Sequence, residues 1–203
     1  MVKILSHRAN VEGSDKYREN RAIACTECLN LGFGLELDVR NYMNSLYAKH
    51  DLVMSQGEQS WLELVTVISS YPNLPVAINI KDTGAERAII NSIRNLDKNS
   101  VFLFDLELVV GIEKYNELSS VYHELDPRMN IAMRVSDRGE TIERAVKSQN
   151  TVVWLDEFDS FWVSHDTLEE LTKAGKIVYV VAPDLHKHSV QVSIWTNCPK
   201  RIS

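Results

Sequence analysis

Cysteine is scarce in this 203-residue chain: Cys25, Cys28 and Cys198 are the only three. They cannot all pair within the chain, so no disulfide framework organises it. Glycine and proline are also few, at eight and five, and no linker, internal repeat or low-complexity segment interrupts the sequence. No Gly-rich phosphate loop follows the first apolar run, which argues against a doubly wound nucleotide-binding sheet. No apolar run approaches the length of a membrane-spanning helix, so membrane insertion is not expected. The net charge is −6 and no cluster of basic residues offsets it, which argues against a nucleic-acid partner. Residues 1–7 run straight into a strand pattern and leave no room for a signal peptide, so the reading expects a cytoplasmic protein.

What is present is alternation. Strand patterns occur at Val2–Ser6, Phe33–Val39, Val76–Ile80, Val101–Phe104, Asn130–Val135, Val152–Leu155, Ile177–Val181 and Val192–Trp195. Several are continuous Val/Ile-rich runs, as expected of parallel strands buried on both faces. Helical signals lie between them. Asn20 is placed to cap a helix that Gly32 ends, and Ser60-Trp61-Leu62-Glu63 reads as a capping box. Ile89, Ile93 and Leu96 share one helical face. Eight strands with intervening helices predict an α/β fold, a (β/α)8 TIM-type barrel forming one domain over residues 1–203. Such barrels typically need roughly 250 residues. Only about ten residues separate the last two strand patterns, fewer than a full crossover helix requires. Either the barrel is reduced near its C-terminus or Val192–Cys198 is not the eighth strand.

The chemistry concentrates in the first quarter. In Leu35-Glu36-Leu37-Asp38-Val39-Arg40 apolar and charged residues alternate, placing Glu36 and Asp38 on one face of a strand. Two carboxylates so placed repel unless a cation lies between them. His7-Arg8 follows the first strand, and His50-Asp51 comes twelve residues after Asp38. Two His, two carboxylates and an Arg at strand ends suggest a metal-assisted site for a phosphate ester. Hard oxygen ligands suit Mg²⁺ or Ca²⁺, and imidazoles can serve as acid and base near neutral pH.

These residues also carry a resemblance. His7-Arg8, Glu19-Asn20, Glu36-x-Asp38 and His50-Asp51 resemble the glycerophosphodiester phosphodiesterase family, whose signature runs His-Arg-Gly, Glu-Asn-Thr, Glu-x-Asp, His-Asp. Asn79-Ile80-Lys81 stands where that family has Glu-x-Lys, and Trp195-Thr196-Asn197-Cys198-Pro199 is similar to its terminal Thr-Asp-x-Pro. The resemblance implies a phosphoric diester hydrolase acting on a small glycerol- or sugar-type phosphodiester with one divalent cation. It implies His7 and His50 as catalytic residues, Arg8 and Lys81 on the phosphate, and Glu36, Asp38 and Asn79 on the metal.

Two departures weigh against an ordinary member. Ala9 replaces a glycine, asking a residue with a Cβ to fit a tight turn. Asn79 replaces a carboxylate, which predicts weaker metal binding, with Asp105 at the next strand end as the compensating acid. The competing expectation is a barrel that lost catalysis and binds a phosphorylated ligand or serves as a scaffold. A third keeps the chemistry but releases a cyclic phosphate. Elsewhere, Cys25 reads as core rather than redox-active, His123 and His165 as surface residues, and His186 as equally placed to face substrate or not. Trp154, Phe158, Phe161 and Trp162 either wall a pocket or pack their own loop.

Overall fold

The computed structural model describes residues 3–186, which divide into two compact units, residues 3–130 and residues 131–186. In the first unit the elements run β1 (Leu5–His7), α1 (Ala22–Asn30), β2 (Gly34–Tyr42), β3 (Ser45–Ala48), α2 (Trp61–Ser69), β4 (Val76–Ile80), α3 (Glu86–Ser92), β5 (Val101–Phe104), α4 (Leu106–Val110) and α5 (Tyr115–Leu125). β1, β2, β4 and β5 pair side by side and parallel. In the second unit β6 (Asn130–Ser136), α6 (Ile142–Lys147), β7 (Val152–Asp156), α7 (His165–Lys173) and β8 (Ile177–Val180) repeat the pattern, with β6, β7 and β8 paired parallel. A parallel strand following each helix is the βα repeat of the (β/α)8 TIM class. Seven of the eight expected parallel strands are thus observed. The eighth candidate, Val192–Trp195, and the Trp195–Pro199 motif lie outside the described residues.

Burial explains why the patterns were continuous. Leu35, Leu37, Val76, Ala77, Ile78, Leu103 and Val153 are inaccessible to solvent, as apolar runs covered on both faces must be. Gly34 opens β2 where no side chain fits: a Cβ there would lie 2.4 Å from the Pro75 carbonyl oxygen and 2.6 Å from a Leu5 methyl. No helix among the described residues is long and apolar enough to cross a membrane.

Three details depart from the sequence reading. β3 is an additional strand, antiparallel to β2 with Val39 opposite Ala48 and Tyr42 opposite Ser45. The Met43-Asn44 turn joining them has both residues at positive φ, 49° and 61°. That geometry is usual for Asn-Gly, so a Met in the first position hides the hairpin. Ser60 stands at the N-terminus of α2 but makes no capping hydrogen bond with its side chain; Glu63 instead accepts from Gln59 Nε2 at 2.6 Å. Asn20 does not cap α1, whose N-cap is Arg21.

Candidate active site

Strand register assembles the site. His7 lies opposite Glu36, and Asp38 lies opposite Asn79, which lies opposite Phe104 at the end of β5. Neighbouring strands are about 4.8 Å apart, so His7, Glu36, Asp38, Asn79 and Asp105 come from adjacent positions of one sheet. Glu36, Asp38, Asn79 and Asp105 are all buried.

Asp38 is the most heavily engaged of them. Its Oδ1 lies 3.1 Å from Lys81 Nζ, and its Oδ2 lies 3.4 Å from Arg8 Nε and accepts from Asn20 Nδ2 at 2.9 Å. Its own backbone N–H donates to Asn20 Oδ1 at 3.0 Å. Asn20 is therefore a positioning residue for Asp38, held in left-handed backbone at φ 57° and almost fully buried. The sequence offered no signal for this role, because an Asn before a helix reads as a cap.

Glu36 differs. Its Oε2 accepts from the Arg8 backbone N–H at 3.0 Å and lies 3.9 Å from His7 Nε2. Burial first, and the neighbouring Asp38 charge second, raise its carboxyl well above the usual carboxylate range. His7 moves the opposite way. Burial and the positive charge of Arg8 lower its imidazole to about 4, so it is neutral at pH 7. His50 also contributes to that lowering, which places the two imidazoles near enough to feel each other's charge. The His50 ring is oriented by Asp51, with Nδ1 2.9 Å from Oδ1; this hydrogen bond lowers the Asp51 carboxyl. Arg40 fixes the same loop by donating from Nε to the His50 carbonyl at 2.8 Å.

Arg8 is less available to a ligand than the sequence suggests. Its Nη1 bonds Glu19 Oε2 at 3.1 Å while Nε faces Asp38, so the guanidinium is a fixed charge braced by two carboxylates. Arg8 and Ala9 both lie in left-handed backbone, at φ 52° and 60°. For Ala9→Gly, relief of that backbone gains about 1–2 kcal/mol. Loss of a buried methyl removes about 0.8 kcal/mol, and the added freedom of the unfolded chain removes about 0.4–1 kcal/mol. These nearly cancel, so chemical denaturation of Ala9→Gly is expected to show a change within about 1 kcal/mol. A much larger gain would mean that the turn is more strained than its dihedrals indicate.

Among the described residues, no group of three or more His, Cys, Asp or Glu side chains is arranged to hold a metal ion. The nearest donor set is Glu36, Asp38 and the Asn79 amide. Asn79 Nδ2 donates to Asp105 Oδ2 at 2.9 Å, and Asn79 Oδ1 is buried with no hydrogen-bond partner. Leaving a buried carbonyl oxygen unpaired costs about 1–3 kcal/mol, which a cation at that atom would remove. The donors are all hard oxygens and so fit Mg²⁺ or Ca²⁺ in chemistry.

The remaining candidates are engaged elsewhere. Cys25 and Cys28 are buried thiols in α1; burial pushes Cys25 up to about 12 and raises Cys28, so neither is a reactive thiolate. In the second unit, Asp156 is shared between Arg134 Nη1 and His186 Nε2, each at 2.5 Å. Phe158 packs against the His186 ring and beneath the guanidinium groups of Arg134 and Arg138. Trp154 stacks on Tyr179, and Trp162 Nε1 donates to the Asp156 carbonyl at 3.0 Å. Trp154 and Tyr179 thus join the neighbouring strands β7 and β8, and Phe158 meets side chains of β6 and of the segment after β8. A concave surface of about 540 Å³ between the β2–β3 hairpin and α3 contains none of the site residues.

No family model and no curated protein sequence matches the chain. Solved structures do. A Silicibacter pomeroyi protein described as a glycerophosphoryl diester phosphodiesterase superposes with a TM-score of 0.67 at 13% identity, covering 89% of this chain and 82% of its own. A glycerophosphodiester phosphodiesterase from Agrobacterium tumefaciens gives 0.62 at 19% identity, covering 89% and 86%. One from Parabacteroides distasonis gives 0.61 at 14%, covering 90% and 86%. At these identities the likeness establishes the fold: the chain shares the α/β, (β/α)8-type fold of those proteins.

Proposed function

We propose that the chain is a metal-dependent phosphoric diester hydrolase that cleaves a small glycerol- or sugar-type phosphodiester, with His7 and His50 moving the protons. The observation that carries this reading is the buried set Glu36, Asp38 and Asn79 on two adjacent parallel strands, with the partly exposed His7 on the strand beside Glu36 and Lys81 just after β4, in a fold shared with glycerophosphodiester phosphodiesterases. Glu36, Asp38 and the free Asn79 oxygen would hold one divalent cation, Mg²⁺ or Ca²⁺, which when bound supplies charge stabilisation for the non-bridging phosphate oxygens.

The chain's own residues do the rest. His7, neutral because it is buried beside Arg8, takes the proton from the attacking hydroxyl. His50, its ring held through Nδ1 by Asp51, keeps Nε2 for the leaving oxygen. Lys81 and Arg8 present fixed positive charge to the phosphate from their places beside Asp38. The free buried thiols agree with a reducing, cytoplasmic compartment.

Turnover of an aryl phosphodiester, measured with and without chelator, tests the reading: activity should require Ca²⁺ or Mg²⁺ and return on adding it back. Activity indifferent to chelation would overturn it. The Asn79 amide and the braced Arg8 favour a second reading, a catalytically impaired barrel that binds a phosphorylated ligand; metal binding without turnover of any phosphodiester would select it. Phosphorus NMR of the product separates hydrolysis from release of a cyclic phosphate.

The pH profile carries a further expectation. An unperturbed pair of imidazoles would put both limbs near 6–7. Since His7 must be neutral to act as base and is lowered to about 4, activity at saturating cation, which would keep the raised Glu36 carboxyl ionised, should persist on acidification and fall only as the pH approaches 4. An acid limb near 6.5 in kcat/KM would remove His7 from the role of base.

A further inference from the structure

We propose that Arg40 and Asp82 are positioning residues for His50: the Arg40 guanidinium, held by Asp82, fixes the backbone of the loop that carries this imidazole. The inference rests on the catalytic reading of the site and deepens it. Strand side chains alternate, so Arg40 stands on the same face of β2 as Glu36 and Asp38, next in their row. A guanidinium there is placed to meet a phosphate, yet the protein itself engages it. Its Nε donates to the His50 carbonyl at 2.8 Å and its Nη1 to Asp82 Oδ1 at 2.7 Å. The second Asp82 oxygen, Oδ2, accepts from the Asn41 backbone N–H at 3.0 Å. Asp82 thus grips both the side chain of Arg40 and the strand end that bears it.

His50 needs such a tether. It lies two residues beyond β3, in the irregular segment 49–59, and groups on loops hold a geometry less closely than groups on strands. Asp51 orients the ring, but as the next residue in the chain it moves with the loop. Arg40 belongs to β2, which pairs with β1, β3 and β4. Asp82 directly follows Lys81, whose Nζ lies 3.1 Å from Asp38 Oδ1. The link therefore runs from the strand end that presents the phosphate-binding lysine, through Arg40, to the backbone of the imidazole that serves the leaving oxygen. Phosphate charge and proton donor are held in one frame. A planar guanidinium joins a carboxylate and a carbonyl in fixed directions, which the flexible point charge of a lysine does not.

Steady-state kinetics at saturating Ca²⁺ test this on two glycerol phosphodiesters, one releasing p-nitrophenol and one an alkyl alcohol. The proteins compared are the parent, Arg40→Gln, Arg40→Lys, Asp82→Asn, His50→Asn and the double variant Arg40→Gln/His50→Asn, with Tm recorded for each. An alkyl alcohol needs a proton in the transition state far more than p-nitrophenol does, so misplacing the acid falls mainly on the alkyl ester. On that ester Arg40→Gln should lower kcat by on the order of 10²-fold, the cost of a misplacement of about 1 Å, with KM and Ca²⁺ affinity little changed. Arg40→Lys keeps the charge but should lose nearly as much. Asp82→Asn keeps one acceptor and should lose less, and it carries the same comparison if Arg40→Gln does not fold. In the His50→Asn background Arg40→Gln should cost almost nothing more, because the two act as one unit. A purely structural Arg40 would lower Tm, slow both esters equally and multiply the loss of His50→Asn. That outcome overturns the proposal, as does a parent-like kcat in Arg40→Gln. An Asp82→Asn variant that changes KM alone would tie Asp82 to Lys81 rather than to His50, and overturns it too. If the parent turns over neither ester with Ca²⁺ or Mg²⁺, the catalytic reading itself falls, and this inference with it.

Discussion

Replacing either His7 or His50 by Asn should reduce turnover by on the order of 10²–10⁴, the usual loss when one proton-transfer group is removed. Neither residue is a cation ligand in the arrangement proposed, so Ca²⁺ affinity and Tm should change little. The two substitutions should differ in their pH signatures. Without His7 the acid limb near pH 4 disappears, because the group whose protonation defines it is gone. Without His50 that limb remains, and Asp51 loses the imidazole that holds its carboxyl low. Steady-state rates across pH 3–9 are the measurement. A His7 variant that retains most of the parent's metal-dependent turnover would rule out the mechanism while leaving the fold untouched.

The second large effect is an asymmetry between the two carboxylates of β2. As a pair of repelling charges, Glu36 and Asp38 would each be expected to relieve the metal-free protein when neutralised. The ion pairs contradict this for Asp38. Its carboxylate faces Arg8 and Lys81, and those cations are themselves mostly buried, so Asp38→Asn leaves two buried positive charges without their shared partner. Such removal costs about 3–5 kcal/mol, and because both cations retain some solvent contact the lower end applies. Glu36 is the strained member. Its raised pKa means that the folded state holds a proton which the unfolded chain has released. The stability it contributes is present at acid pH and is lost as pH rises through the raised value. Glu36→Gln keeps an acceptor for the Arg8 N–H and should be neutral or stabilising without metal, with the gain over the parent growing from pH 5 to pH 8. Denaturant titrations at several pH values check both variants. Equal stability changes for Glu36→Gln and Asp38→Asn would show that the two carboxylates are equivalent after all. Both variants should lose divalent binding.

Much of this arrangement is legible in the linear sequence, and the part that is not has a definite physical origin. The apolar runs of β2, β4 and β5 announce parallel strands because burial on both faces leaves no room for polar residues there. The two-residue spacing of Glu36 and Asp38 places them on one face because strand side chains alternate. The redox-like spacing of Cys25 and Cys28 loses its meaning once both fall inside α1, and the structure agrees. Asn79 stands out as a missing charge only through the resemblance to the family signature, which has Glu-x-Lys where this chain has Asn79-Ile80-Lys81. The β2–β3 hairpin that carries His50 stays hidden, because a Met-Asn turn at positive φ has no composition signal.

Partner choice belongs to the tertiary structure. That Arg8 braces Glu19 and Asp38, whether Asn20 caps a helix or clamps Asp38, and which end of Asn79 bonds Asp105 are all decided by groups brought together across strands. The same holds for the split between a neutral His7 and a proton-retaining Glu36, since burial and neighbouring charge set it. The sequence by itself determined the βα order, the seven parallel strands observed and the residue types at their ends, because those follow from local periodicity and side-chain chemistry. Which charges pair, and so which remain available for chemistry, was decided only by the register of β1, β2, β4 and β5, because an ion pair or hydrogen bond depends on a few ångströms between residues distant in the chain.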